Sequence, residues 1–168
     1  MRWSALKAAT EKCFAPAVRG RVSIYVTRHH KPSTRGSAWL TFDGVELARA
    51  CDWIFTRTQY FFTPEKIGTI GGASGHLSWG QYSAFDVKLA CWSLVHEGHS
   101  PALKSEDSLR RGLAMLHRKV GRKSVLAVVK SNTASHFERA LAMLRAECEG
   151  WLPGKSESTR RRNSEARV

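Results

Sequence analysis

The sequence predicts an α+β domain, and three observations predict it. Residues 21–28 alternate apolar and polar with period 2, an Asp43-Gly44 pair sits between two further alternating runs, and from Phe85 onward the apolar period becomes 3.6. The expected architecture is an N-terminal helix, a small antiparallel sheet over about 21–62, and a C-terminal bundle of three or four helices packed on one face of it. Residues 1–152 read as one domain, with a sheet-bearing half (1–67), a glycine-rich connector (68–80) and a helical half (81–152). Residues 153–168, PGKSESTRRRNSEARV, carry almost nothing apolar and read as a basic disordered tail.

The first helix is expected from Ser4, a candidate N-cap, through Leu6, Ala9, Cys13 and Phe14, stopping before Pro16. Val22, Ile24 and Val26 then share one face of a strand, with Arg21, Ser23, Tyr25 and Thr27 on the other. A polar loop over 29–36 leads to a second strand, Ser37 to Phe42, and Asp43-Gly44 is a two-residue hairpin signal returning the chain through Val45 and Leu47. Residues 48–62 fit a strand or a helix equally well, since Leu47, Cys51, Ile54 and Phe55 have helical spacing while Trp53 to Phe62 is rich in aromatic and β-branched residues.

Beyond the connector, a helix is expected from Phe85 to near Gly98 and Pro101, and another from about Ser105 to Val120 with Gly121 as its stop. A short helical segment around Val125 to Val129 and a last helix from Ser135 to Glu149 complete the chain. Arg111-Gly112-Leu113-Ala114-Met115-Leu116 recurs as Arg139-Ala140-Leu141-Ala142-Met143-Leu144. One recurrence is too few for a solenoid and reads as two similarly built core helices.

Composition bounds the function. The 168 residues are 42% hydrophobic and 24% charged, which excludes membrane, collagen and fully disordered classes. The net charge of +13 points to a polyanionic partner. Residues 1–62 carry ten Lys and Arg against four Asp and Glu, 63–104 three against three, 105–152 nine against five, and the tail five against two. The excess therefore sits in two regions separated by a neutral middle, and an anion-binding face has to be assembled by folding. With no uninterrupted apolar stretch of a secretory signal at the N-terminus, the expected location is cytoplasmic. Cys13, Cys51, Cys91 and Cys148 form no CxxC pair and read as reduced structural thiols.

Several motifs invite chemistry. The loop Gly68-Thr69-Ile70-Gly71-Gly72-Ala73-Ser74-Gly75 is rich enough in glycine to cradle a phosphate, but no GK[ST] follows it. Ser74 lacks the glycine two positions on that a nucleophile elbow requires. Cys91, His96 and His99 could approach one ion, yet His96-Glu97-Gly98-His99 lacks the HExxH spacing, and no metal or cofactor is expected. His29, His30 and Lys31 with Arg28 and Arg35 could supply acid, base and phosphate stabiliser to a small metal-independent phosphodiesterase or ribonuclease.

The favoured expectation is a non-enzymatic basic protein that engages nucleic acid or another polyanionic surface. Arg21, Arg28, Lys31, Arg35, Arg118, Lys119, Arg122 and Lys123 are the candidate phosphate contacts, with Tyr25 and Trp39 as aromatic contacts. The segment around 110–123 resembles a helix-turn-helix only loosely, because His117 stands where a small residue is expected. The alternative is a protein-interaction or inhibitor module built on exposed Trp39, Trp53, Tyr60, Phe61 or Trp79. A solvated basic surface with the aromatics covered is the plainer outcome.

Three blocks carry a resemblance: Trp3-Ser4-Ala5-Leu6-Lys7, the run from Arg19-Gly20-Arg21-Val22 to Trp39-Leu40-Thr41-Phe42-Asp43-Gly44, and Leu113 to Arg122. Together they resemble a group of small uncharacterised bacterial proteins across about residues 1–150. In that pattern an aspartate stands at the position of His117. The resemblance implies a bacterial origin and brings no activity, cofactor or catalytic residue.

Overall fold

A computed structural model describes residues 1–28, 36–52 and 82–152. The glycine-rich loop, Lys31, Arg35, the His29-His30 pair, the basic tail and Trp53, Tyr60, Phe61 and Trp79 all lie outside the described residues, and of Arg28 only the backbone is described. In chain order the elements are α1 (Trp3–Cys13), β1 (Val22–Arg28), β2 (Gly36–Phe42), β3 (Val45–Cys51), α2 (Ala84–His96), α3 (His99–Lys104), α4 (Ser108–Met115), α5 (Arg122–Lys130) and α6 (His136–Cys148). This is the α+β class the periodicities predict.

The sheet is a meander, β1-β2-β3, antiparallel throughout. Asp43 and Gly44 both have positive φ, 48° and 82°, as a two-residue turn matching the strand twist requires, and Phe42 pairs with Val45 directly across it. A bulge follows, since Leu40 faces Ala48 while Thr41 faces Glu46. Val22, Ile24, Ala38, Leu40, Ala48 and Ala50 form the buried face. The ambiguous stretch after Leu47 is strand as far as Cys51.

α1 guards the outer edge of β1, where the Glu11 carboxylate accepts the Ile24 N–H at 3.1 Å and gives an edge donor a partner. The helix starts at Trp3 with Arg2 as N-cap and no side-chain cap, so Ser4 lies inside the first turn rather than capping it. α2 is the helix laid against β2 and β3. Its start is fixed twice: Ser83 and Asp86 form a reciprocal capping box, and the Asp52 carboxylate accepts N–H groups from Ala84 and, at 2.7 Å, from Gly36. α4 and α5 both pack on α6, so α4 and α5 do not form the packed pair of a helix-turn-helix.

α2 ends at His96, just before Gly98, as expected, but a further short helix follows it: Pro101 sits third in α3, where a first-turn N–H has no intrahelical partner to lose, so that five helices follow the sheet among the described residues. One expected helix boundary is corrected. The helix expected over Ser105 to Val120 spans only Ser108–Met115, with Asp107 as its cap, accepting the Leu109 N–H at 2.8 Å. Beyond Leu116 the chain is held out of the helix by two partners. The segment joins the end of α1 in a one-residue antiparallel bridge, Phe14 to His117, with Ala15 N–H donating to Leu116 O at 2.8 Å and Arg118 N–H to Cys13 O at 2.9 Å. From the other side, the buried Arg145 guanidinium donates to the carbonyls of Met115, His117 and Val120 at 2.7, 2.8 and 2.7 Å.

The internal echo is two core helices in contact. Leu113 of α4 and Leu141 of α6 are fully buried, and Gly112 stands where the second copy has Ala140. A Cβ on Gly112 would lie 2.5 Å from the Phe137 ring, so the glycine permits the close helix approach.

Candidate nucleic-acid interface

The Phe14–His117 bridge brings a part of each cationic region of the sequence together. Lys12 and Arg19 flank the α1 side of the bridge, Arg118 and Lys119 follow it on the other side, and all four are exposed. The Arg19 guanidinium donates to Phe14 O at 3.0 Å, which holds it at the junction. Arg122 and Lys123 come three residues later in the first turn of α5, a helix with no acidic residue in that turn and no side-chain cap. Cations at the positive end of a helix dipole cost a few tenths of a kcal/mol each, a cost that an anion placed among them removes.

Carboxylates elsewhere have been claimed. Lys7 pairs with Glu11, Arg21 with Asp43, Arg49 with Glu46, Arg110 with Glu97 and Asp107, Arg111 with Glu138, and Arg145 with Glu149. Among the described residues, Lys12, Arg19, Arg118, Lys119, Arg122 and Lys123 have no such ion pair. Sequence reading missed Lys12 as a member of this face and did not carry Arg19 into it, because only the bridge to 116–118 makes either one a neighbour of the second cationic region.

His117 sits at the centre. It is 6% exposed, its Nδ1 accepts the Lys119 N–H at 3.1 Å, and its ring stacks on His99 with centroids 4.8 Å apart. Burial, with His99, Arg118, Lys119 and Arg145 around it, pushes its pKa down to about 4, so the imidazole is neutral at physiological pH. The backbone N–H to Nδ1 places the ring proton on Nε2.

The remaining expected contacts are placed elsewhere. Arg21 is spoken for: its Nε donates to Asp43 Oδ1 at 3.1 Å and its Nη2 to Oδ2 at 2.6 Å, and this hydrogen bonding holds the Asp43 carboxyl below its ordinary range. Tyr25 and Trp39 are cross-strand partners whose rings stack at 5.3 Å, with Lys7 over the Tyr25 ring and Arg49 over that of Trp39. Ring faces occupied by each other and by cations are poor platforms for bases.

Cys91, His96 and His99 each have other surroundings. Cys91 is fully buried, its thiol pushed up to about 12 by desolvation. His96 turns back onto Trp92, with its Nδ1 2.9 Å from Trp92 O, and His99 lies against His117. Among the described residues no group of three or more His, Cys, Asp or Glu is placed to hold a metal ion, and no helix is long and apolar enough to cross a membrane.

No curated protein and no solved structure matches the chain. Residues 2–69 match the model of the SF0329 protein family, a span that includes α1 and all three strands and leaves Leu113 to Arg122 outside it. Over its N-terminal part the chain is thus similar to the SF0329 protein family.

Proposed function

We propose that this is a non-enzymatic binding protein that engages nucleic acid, or a polyanion of like charge density, through the face formed by Lys12, Arg19, Arg118, Lys119, Arg122 and Lys123. The observation that carries the reading is the Phe14–His117 bridge, which turns two cationic regions a hundred residues apart in sequence into neighbours. The lack of acidic partners for these six side chains among the described residues supports it, since no carboxylate has to be displaced before they meet an anion. Contacts of this kind are to phosphate, so the binding is expected to be tolerant of sequence.

Fluorescence anisotropy of labelled 25-mer duplex and single-stranded DNA and RNA, titrated from about 50 to 300 mM salt, tests the reading. Binding is expected to weaken steeply with salt, by about 0.9 in the log–log slope for each phosphate neutralised on a duplex. The double variant Arg118→Glu, Lys119→Glu is expected to bind at least tenfold more weakly. Absence of binding at low salt, or binding indifferent to salt and to the double variant, rejects the proposal.

A further inference from the structure

At the opposite end of α1, about 15 Å from the cationic face by helix rise, lies a surface of different character. Phe85, Leu89 and Trp92 are exposed by 67, 39 and 43% and fall at i, i+4 and i+7, one stripe of α2. They border a concave groove of about 650 Å³ whose other wall is Trp3 and Leu6 of α1, with Val26 of β1 at its side. The helix presenting these side chains is pinned by the Ser83–Asp86 capping box and by Asp52, so the stripe is held rigid before any partner arrives.

We propose that this groove docks an acidic amphipathic helix of a partner protein. The shape argues for a helix: the floor is the seam between two packed helices, and a third helix laid along it can place apolar anchors between Phe85, Leu89 and Trp92 over about two turns. The charge argues for acidity. Lys88 is the one charged side chain in the described lining, with no carboxylate beside it there, and Arg2 lies between the two lining residues Met1 and Trp3. Lys88 can lay its stem along the groove and hold its ammonium at the rim, facing a ring of carboxylates. A second copy of this chain fits less well, because two molecules of net charge +13 repel one another. An anionic lipid surface fits less well because the apolar side chains border a hollow rather than crown a convex tip.

The test uses the full chain and a labelled 18-residue helix with Leu at i, i+3, i+4 and i+7 positions and Glu over most of the remaining face, followed by anisotropy at 150 mM salt. The wild type is expected to bind it, Phe85→Ser, Leu89→Ser to lose at least tenfold in affinity, and Lys88→Glu to lose about threefold or more. Unchanged thermal melting of these exposed-site variants separates lost docking from lost folding. A peptide with Lys in place of Glu is expected not to bind, and 25-mer DNA is expected not to compete. No binding by the wild type, equal binding of a Leu→Ser peptide, or affinity unaltered by the variants overturns the proposal. So does Phe85-dependent binding of phosphatidylglycerol vesicles without peptide binding, or Phe85-dependent self-association in sedimentation equilibrium.

Discussion

Arg145 donates from Nη1 to the carbonyl oxygen of His117 at 2.8 Å and to that of Met115 at 2.7 Å, while its Nη2 takes Val120 O at 2.7 Å. One buried guanidinium thus satisfies three carbonyls of a turn that has left helical geometry. Arg145→Met is expected to cost about 3 kcal/mol or more, since it strands three buried acceptors. Arg145→Lys is expected to recover only part of this, because an ammonium lacks the planar fork that spans them. Urea unfolding of the three proteins checks it; equal stability of the wild type and the Met variant contradicts it.

Gly112 and Phe137 set the spacing of α4 and α6. A methyl group at residue 112 would meet the buried Phe137 ring at 2.5 Å, and the ring is 1% exposed with little room to move. Gly112→Ala is expected to destabilise by about 1–3 kcal/mol despite the better helix propensity of alanine. Adding Phe137→Leu is expected to recover part of the loss, a coupling that a double-mutant cycle measures. A Gly112→Ala protein as stable as the wild type removes this account of the packing.

The contrast between these sites explains what the sequence made legible. The Asp43-Gly44 turn, the strand alternation and the last helix depend on residues within a few positions of one another, and all three stand in the structure. The Ser83–Asp86 box is equally local, a serine three residues ahead of a carboxylate at the start of an apolar run. The early end of α4 was not legible, because its causes are Arg145 and Phe14, about 30 and 100 residues away. For the same reason Lys12 comes near the segment of Arg118 and Lys119 only through a non-local bridge, and Arg21 leaves the unpaired cations only because the hairpin carries Asp43 to it.

His117 makes stability depend on pH. Its folded pKa of about 4 lies below its ordinary 6.5, chiefly through desolvation, so between those values the unfolded chain binds the proton that the folded chain excludes. Stability from this group is complete above pH 6.5 and is lost as pH falls through 4, by roughly 3 kcal/mol in all. His117→Asn can keep an acceptor for the Lys119 N–H without a titrating ring, and is expected to flatten the decline between pH 6.5 and 4 in urea midpoints. A decline equally steep in the Asn variant assigns it to other groups.

Arg21 and Arg118 offer a matched comparison of a paired and an unpaired cation. Arg21 is held by two oxygens of Asp43, whereas Arg118 has no carboxylate partner among the described residues. If the cationic face binds phosphate, Arg118→Gln is expected to lower the salt slope on duplex DNA by about 0.9, the share of one neutralised phosphate. Arg21→Gln is expected to leave the slope and affinity nearly unchanged, because its charge is already answered. Asp43→Asn releases the guanidinium while keeping a turn-compatible residue at positive φ, and the added net charge is expected to tighten binding at low salt. Equal slopes for the Arg118 and Arg21 variants would mean that pairing does not select the contacts, and the six-residue face would lose its basis.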